Sequence, residues 1–416
     1  MKNILLASVL ITISSLTVAQ NVNIPDPNFK AYLIGNSFIN LNGDTEIQIS
    51  EATAFNGGIA CNWMNISDLT GIEAFTSLTW LECYENQLTS LDVSQNISLT
   101  YLRCQSNQLT NLNVNGALAL TELNCNYNQL TSLDVSGATA MIDLQCYNNQ
   151  LLNLNLNQCT NLIALNCFEN QLSSLDVSEN IHLTSLHCGN NLLTNLNVSQ
   201  NIELYGLNCP SNQLTILDIS QNTELVVLVC EQNSLTSLDV SQNASLDFLD
   251  CRNNQLTSLD LTQNSSLLQL YCQDNQLNSL DLRNGNNNNI INFYTANNPS
   301  LFCIEVDDTT YSIANWQNID PWSSFSSNCS ANVTQETKES YPFSIYPNPT
   351  INTINLEADE RLIGSIYSIY DTMGKLKLNG KITSENTTID LSEISQGIYS
   401  LRVGVNLEQM VKVVIE

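Results

Sequence analysis

Across residues 58–310 apolar and polar positions follow one pattern with a 21-residue period, L-T-x-L-x-C-x-x-N-Q-L-T-S-L-D-V-S-x-N-x-x. Each unit is two similar halves, LTxLxCxxNQ and LTSLDVSxNxx, with apolar residues two apart and an Asn three further on. A spacing of two places those apolar side chains on one face of a short strand. The Asn suits the turn that follows, because its amide can bond backbone groups leaving the strand. A unit this short cannot bury its own apolar face, so successive units must stack. The pattern therefore predicts a parallel β-solenoid. Cys61 extends it backwards by a 22-residue step, with Ile59, Cys61, Ile66 and Leu69 standing where Leu81, Cys83, Leu88 and Leu91 stand. Forwards, IINFYTANNPSLFCIEV reads as a degenerate rung with Ile290, Phe293 and Thr295 in core positions.

One apolar slot is always cysteine: Cys83, Cys104, Cys125, Cys146, Cys167, Cys188, Cys209, Cys230, Cys251 and Cys272. LxxLxCxxNxL resembles the leucine-rich repeat with Cys in one Leu slot. The 21-residue unit with LDVSxN is similar to the bacterial subclass of internalin J, which carries a cysteine ladder. The resemblance implies that the xLxCx strands line a concave face, where members of that family bind ligands.

The outward positions of xLxCx differ at every rung while the core positions barely change. They run from Trp80/Glu82/Tyr84 and Tyr101/Arg103/Gln105 to Phe248/Asp250/Arg252 and Gln269/Tyr271/Gln273. Aromatic residues stand at Trp80, Tyr84, Tyr101, Tyr147, Phe168, Phe248 and Tyr271, and His187 is the one histidine on this face. Exposed Tyr, Trp and Arg are favoured at binding hot spots. The candidate ligand-binding residues are therefore Trp80, Glu82, Tyr84, Tyr101, Arg103, Tyr147, Phe168, His187, Phe248 and Tyr271, with a first contact patch at Trp80, Tyr84 and Tyr101. Variation at positions that need only be soluble would produce the same list.

The cysteines themselves suggest no chemistry. Zinc and iron–sulfur sites want converging ligands at spacings such as C-x-x-C, and none occurs. Side chains on stacked parallel strands point the same way, which fits poorly with the torsion of a disulfide. Cysteine packs as a small hydrophobe, so the ladder is expected to be buried free thiol. Cys159 takes the slot that Asn180 fills one rung later.

The second half-repeat carries Asp92, Asn113, Asp134, Asn155, Asp176, Asn197, Asp218, Asp239, Asp260 and Asp281 at its outward slot. Stacked like charges repel, so this row needs hydrogen bonds between rungs from the following Ser or Thr, or bridging calcium. Ahead of the repeats, Asp26-Pro27 reads as a helix start and FKAYLIG has helical apolar spacing. NLNGDTEIQISE resembles an EF-hand or dockerin-type calcium loop, with Asn40, Asn42, Asp44 and Glu51 as the candidate ligands. It departs from that pattern at Asn40 in place of Asp and Thr45 in place of Gly.

Charge narrows the partners. The chain has 12 Lys+Arg against 40 Asp+Glu, and residues 58–337 hold only Arg103, Arg252 and Arg283 as basic residues. Phosphate backbones need Lys/Arg to release counterions, so nucleic acid is disfavoured. MKNILLASVLITISSLTVA has the layout of an export signal, and no other apolar run is long enough to span a bilayer. For an exported chain a disulfide is permissible, and Cys303 and Cys329 are expected to close a cap over the last rung.

After a polar linker, composition shifts, and seven of the 12 basic residues lie between Lys338 and Lys412. Short strands alternate with turns, as in a small β-sandwich. YPNPT, IYDTMGK, GIYSLRV and the closing KVVI resemble the C-terminal sorting domain of the type IX secretion system of Bacteroidetes-type bacteria. That resemblance implies export and either release or attachment at the cell surface.

The expected order is an export signal at 1–19, a helical N-terminal cap with the EF-hand-like loop at 20–57, leucine-rich repeats at 58–310, a C-terminal cap at 311–330, a linker at 331–341 and a sorting domain at 342–416. No nucleophile–His–acid set, HExxH, P-loop or CxxC occurs, so no catalysis and no cofactor other than calcium is expected. The function expected is binding or adhesion to a protein or glycan outside the cell, with the secretion machinery engaging residues 342–416. The alternative is a self-associating structural component of a surface layer or biofilm.

Overall fold

A computed structural model describes residues 20–329, 343–372, 374–403 and 409–416. The export signal at 1–19 and the linker at 331–341 lie outside the described residues. The chain divides into two compact units, Met1–Met141 and Ile142–Glu416.

In the first unit a helix, Pro27–Gly35, starts where Asp26 accepts hydrogen bonds from the Asn28 and Phe29 amides and Pro27 needs no donor. Asp26 also takes the Ser67 amide at 2.8 Å, and the Tyr32 hydroxyl takes the Ala60 amide at 3.0 Å. These two bonds pin the cap to the first rung. The parallel strands Gly58–Ala60, Trp80–Glu82, Tyr101–Arg103 and Glu122–Asn124 follow in register, with Leu81 opposite Leu102 and Leu102 opposite Leu123. Each rung sends Leu, Cys, Leu and Val inward. Leu81, Cys83, Leu88, Val93 and Leu99 are fully buried.

In the second unit the strands Asp143–Gln145, Ala164–Asn166, Ser185–His187, Gly206–Asn208, Val227–Val229, Phe248–Asp250, Gln269–Tyr271 and Asn292–Tyr294 form one parallel sheet in chain order. Ile290, Phe293 and Thr295 fill the core of the degenerate rung, at 2%, 3% and 0% exposure. Phe293 stacks on Trp316 at 4.1 Å, and Trp316 meets Phe325 edge-on at 5.7 Å. The helix Thr309–Asn315 lies in this closing segment, and Cys303 and Cys329 are bonded to each other with their Cα atoms 5.8 Å apart.

The C-terminal module of that unit has two antiparallel sheets over a core that includes Ile354, Leu356, Ile369, Ile389, Leu401 and Val413. The YPNPT motif is tied to the closing strand. Asn348 donates to the Lys412 carbonyl at 2.5 Å and accepts from the Val414 amide at 2.8 Å, and the Thr350 amide donates to the Val414 carbonyl at 2.8 Å.

The rungs are clamped by an asparagine column. Asn107 donates to the carbonyls of Cys104 in its own rung and Cys83 in the rung before, and accepts the Leu88 amide. Asn128, Asn170, Asn191, Asn212, Asn233, Asn254 and Asn275 donate in the same way, to the Cys of their own rung and of the one before. Each bond fills a backbone group that the strand has just released. The residue before the Asn is left-handed in every rung from Glu85 to Asp274, with φ from 49° to 57°. A side chain there costs about 1–2 kcal/mol, which the Asn bonds offset.

The ladder cysteines are buried thiols outside any disulfide, as are Cys61 and Cys159, 12 in all. Burial pushes Cys125, Cys167 and Cys209 up to about 12. Thiolate, the reactive form, is therefore scarce at neutral pH. A maleimide dye at pH 7.5 is expected to label the native chain hardly at all and the guanidinium-denatured chain at all 12 of these thiols. Rapid native labelling would show that the ladder is open.

Candidate ligand-binding face

The strand positions flanking the buried Leu and Cys point away from the core, and in each unit they form one face. In the first unit that face carries Trp80, Glu82, Tyr84, Tyr101 and Arg103. Trp80 is 38% exposed, while Tyr84 and Tyr101 are half-buried. The Arg103 guanidinium lies over the Tyr101 ring at 4.7 Å and reaches Glu82 at 3.7 Å. Gly58, directly opposite Trp80 in register, has no positive φ, so its conformation does not call for glycine. Its space does. A Cβ at residue 58 would come within 1.7 Å of Trp80 Cε2, 2.0 Å of Cδ2 and 2.2 Å of Nε1. The indole fills the place of a side chain at 58, with one face toward the Gly58 backbone.

Trp63 was not among the residues singled out from the sequence. It is 68% exposed and meets Tyr84 edge-on at 5.3 Å. Its offset from Cys61 equals that of Glu85 from Cys83, and both are left-handed. Aligning the 22-residue step on its cysteine would have placed it.

In the second unit Tyr147, Phe168, His187, Phe248 and Tyr271 are all half-buried on the corresponding face. His187 Nε2 and Asn208 Nδ2 are 3.0 Å apart, and burial lowers the His187 pKa. Phe248 and Tyr271 have centroids 5.6 Å apart, and Tyr271 stacks on Tyr294 at 5.0 Å with ring planes 7° apart. Tyr294 was also missed, because its rung lacks the Leu and Cys signature. Beside this stack Arg252 bonds Glu231 through Nε and lies 3.3 Å from Asp250. Asp250 is 5% exposed, and burial, reinforced by Glu231 against the pull of Arg252, raises its pKa to about 6.

The loop at 40–51 closes on itself. Glu51, the intended bidentate ligand, accepts the Leu41 and Asn42 amides with Oε1 and the Gln48 amide with Oε2. Asn40 accepts the Gly43 amide, Asn42 the Asp44 amide and Asp44 the Glu46 amide. Among the described residues no group of three or more His, Cys, Asp or Glu side chains gathers to hold a metal ion.

The Asp row corrects one expectation. Its carboxylates are satisfied mainly within their own rung, where Asp92, Asp134, Asp176, Asp218 and Asp239 each accept the amide of the Ser two residues on. The amide two residues on is the nearest donor to an Asx side chain at a strand end, nearer than a Ser on the next rung. The Ser178 hydroxyl and amide lower the pKa of Asp176, and the amides and then hydroxyls of Ser220 and Ser241 lower those of Asp218 and Asp239. A bond between rungs does run from Asn113 Nδ2 to Asp92 Oδ2 at 3.1 Å, so Asn in the row donates where a second Asp would repel.

Comparison with known proteins defines the class. Residues 344–416 match the family described as secretion system C-terminal sorting domain. The functional domain of InlJ from Listeria monocytogenes, which includes a cysteine ladder, is 28% identical with a TM-score of 0.61, over 95% of this chain and 98% of that one. An internalin, InlF, from the same organism is 19% identical with a TM-score of 0.52, over 74% of this chain and 98% of its own, and shows the shared fold. No curated protein matches by sequence. The chain is a leucine-rich-repeat solenoid protein bearing a type IX secretion sorting domain at its C-terminal end. It is exported, and is either secreted or attached at the cell surface. Among the described residues no helix is long and apolar enough to cross a membrane.

Proposed function

We propose that this is a non-enzymatic binding or adhesion protein that presents its variable strand face to a protein or glycan outside the cell. The solenoid type is that of protein-binding surface proteins, and the sorting domain delivers it to the exterior. The observation that carries the reading is the division of labour within each rung. Leu, Cys and Asn repeat because they build and clamp the wall, whereas the outward side chains between them change at every rung. In the first unit those outward positions hold a surface-facing Trp and an Arg–Tyr contact, residue types enriched where partners are gripped.

The test is capture on protein and glycan arrays by the exported chain and by a W80A/Y101A variant. Saturable capture that falls at least tenfold in the variant, at unchanged melting temperature, is the expected result. Capture unaffected by the double substitution would discard this patch. Concentration-dependent assembly in light scattering, with no capture at all, would favour the self-associating structural alternative.

A further inference from the structure

Resting on that binding reading, we propose that Trp80 is a stacking platform for one neutral pyranose ring of an oligosaccharide, with the Glu82–Arg103 pair beside it bonding the ring's hydroxyls. The indole lies over Gly58, whose lack of a side chain makes the room, and at 38% exposure it keeps surface toward solvent. Gly58 opens its strand without a left-handed φ to demand glycine, so its use here goes with the ring it accommodates. The aromatic residues of the second unit differ: Tyr271 and Tyr294 stack on each other, so the ring faces between them are already covered.

An indole face carries the negative side of the ring quadrupole and attracts C–H groups or a cation. The neighbours decide between the two. The nearby carboxylate, Glu82, already lies 3.7 Å from Arg103, and Arg103 is itself 4.7 Å above Tyr101. Glu122, the next carboxylate on this face, stands opposite Tyr101, two strands and about 10 Å from Trp80, too far to share a cation resting on the indole. What remains is a fixed row of N–H donors next to carboxylate acceptors, matched to the hydroxyl rim of a sugar whose C–H face rests on the indole. The formal charge of −28 disfavours uronate or sialylated chains.

Tyr84 lies four residues on from Trp80, two past the end of the strand and at most about 13 Å away, and Trp63 packs edge-on against it. A glycan following the strand direction crosses Trp80, the Glu82–Arg103 pair and then Tyr84, so several sugar units are required and a monosaccharide binds poorly.

The test uses the exported chain on an array of neutral and acidic oligosaccharides, followed by calorimetric titration of the best neutral hit, a readout that does not depend on Trp80 itself. Neutral oligosaccharides are expected to bind saturably. W80A should weaken them at least tenfold, and G58A, which keeps Trp80 but lifts the indole from its seat, should do likewise, both at unchanged melting temperature. Binding of neutral glycans that survives both substitutions would overturn the proposal, as would preference for acidic glycans, competition by a lysine-rich peptide, or no glycan binding at all. Protein capture that W80A/Y101A weakens, with no glycan binding, would overturn the sugar platform and leave the binding function standing.

Discussion

Asn212→Ala is expected to destabilise the solenoid of the second unit by about 2–3 kcal/mol, lowering its melting temperature by on the order of 5 °C. The side chain donates to the Cys188 carbonyl at 3.1 Å and the Cys209 carbonyl at 3.3 Å, and accepts the Leu193 amide at 3.0 Å. Alanine removes these bonds and a further one to the Pro210 carbonyl at 3.2 Å. The Cys188 and Cys209 carbonyls keep their bonds from Asn191 and Asn233, but the Leu193 amide loses its acceptor, at about 1–3 kcal/mol for a buried group. Gln213, the exposed next residue, is the control, and Gln213→Ala should stay within about 0.5 kcal/mol. Urea melts of the two variants and the parent separate the cases. If Asn212→Ala matched Gln213→Ala, the asparagine column would not be what clamps the rungs.

The second large effect is pH-dependent. Asp250 titrates at about 6 in the folded chain, against about 3.9 for an unperturbed Asp. The folded state therefore holds more protons than the unfolded state between those two values. Stability must fall as pH rises through that window, and the full penalty is present above it. Asp250→Asn keeps the shape and removes the charge, while Glu231 still holds Arg252. The variant is expected to be more stable than the parent by about 2 kcal/mol at pH 8 and equal to it at pH 4. Denaturation at pH 4, 5, 6 and 8 gives the curve. A variant less stable than the parent at pH 8 would mean that the contact with Arg252 outweighs the cost of burying the carboxylate.

Much of the wall was legible in the chain because its signals are local and repeated. Leu81, Cys83 and Asn86 announce the same strand and turn that Leu102, Cys104 and Asn107 announce one rung later. The Asn was expected at the turn on local grounds, but its reach into the preceding rung depends on stacking and had no local signal. The Asp row shows the converse. Repulsion between rungs was the natural worry, yet the nearest donor is an amide two residues away in the same rung.

The outward face was less legible. Periodicity states that Trp80 and Tyr271 leave the core, but not that the first leans over Gly58 while the second lies against Tyr294. Trp63 and Tyr294 stand in the two rungs whose spacing or core residues depart from the consensus, so a template built on the regular rungs passed over both. The calcium-like loop was legible as four candidate side chains but not as their partners, and Glu51 accepts the Leu41, Asn42 and Gln48 amides.

By itself the sequence determined the repeating rung, its buried thiols, the export route and the list of side chains that leave the core, since all of these follow from period, residue type and motif. Only the tertiary structure decided which of those side chains remain available. Stacking at about 4.8 Å brings residues 21 to 23 positions apart into contact. Whether a neighbour there covers a ring, pairs a charge or is a glycine that makes room is a property of the pair, which no single rung contains.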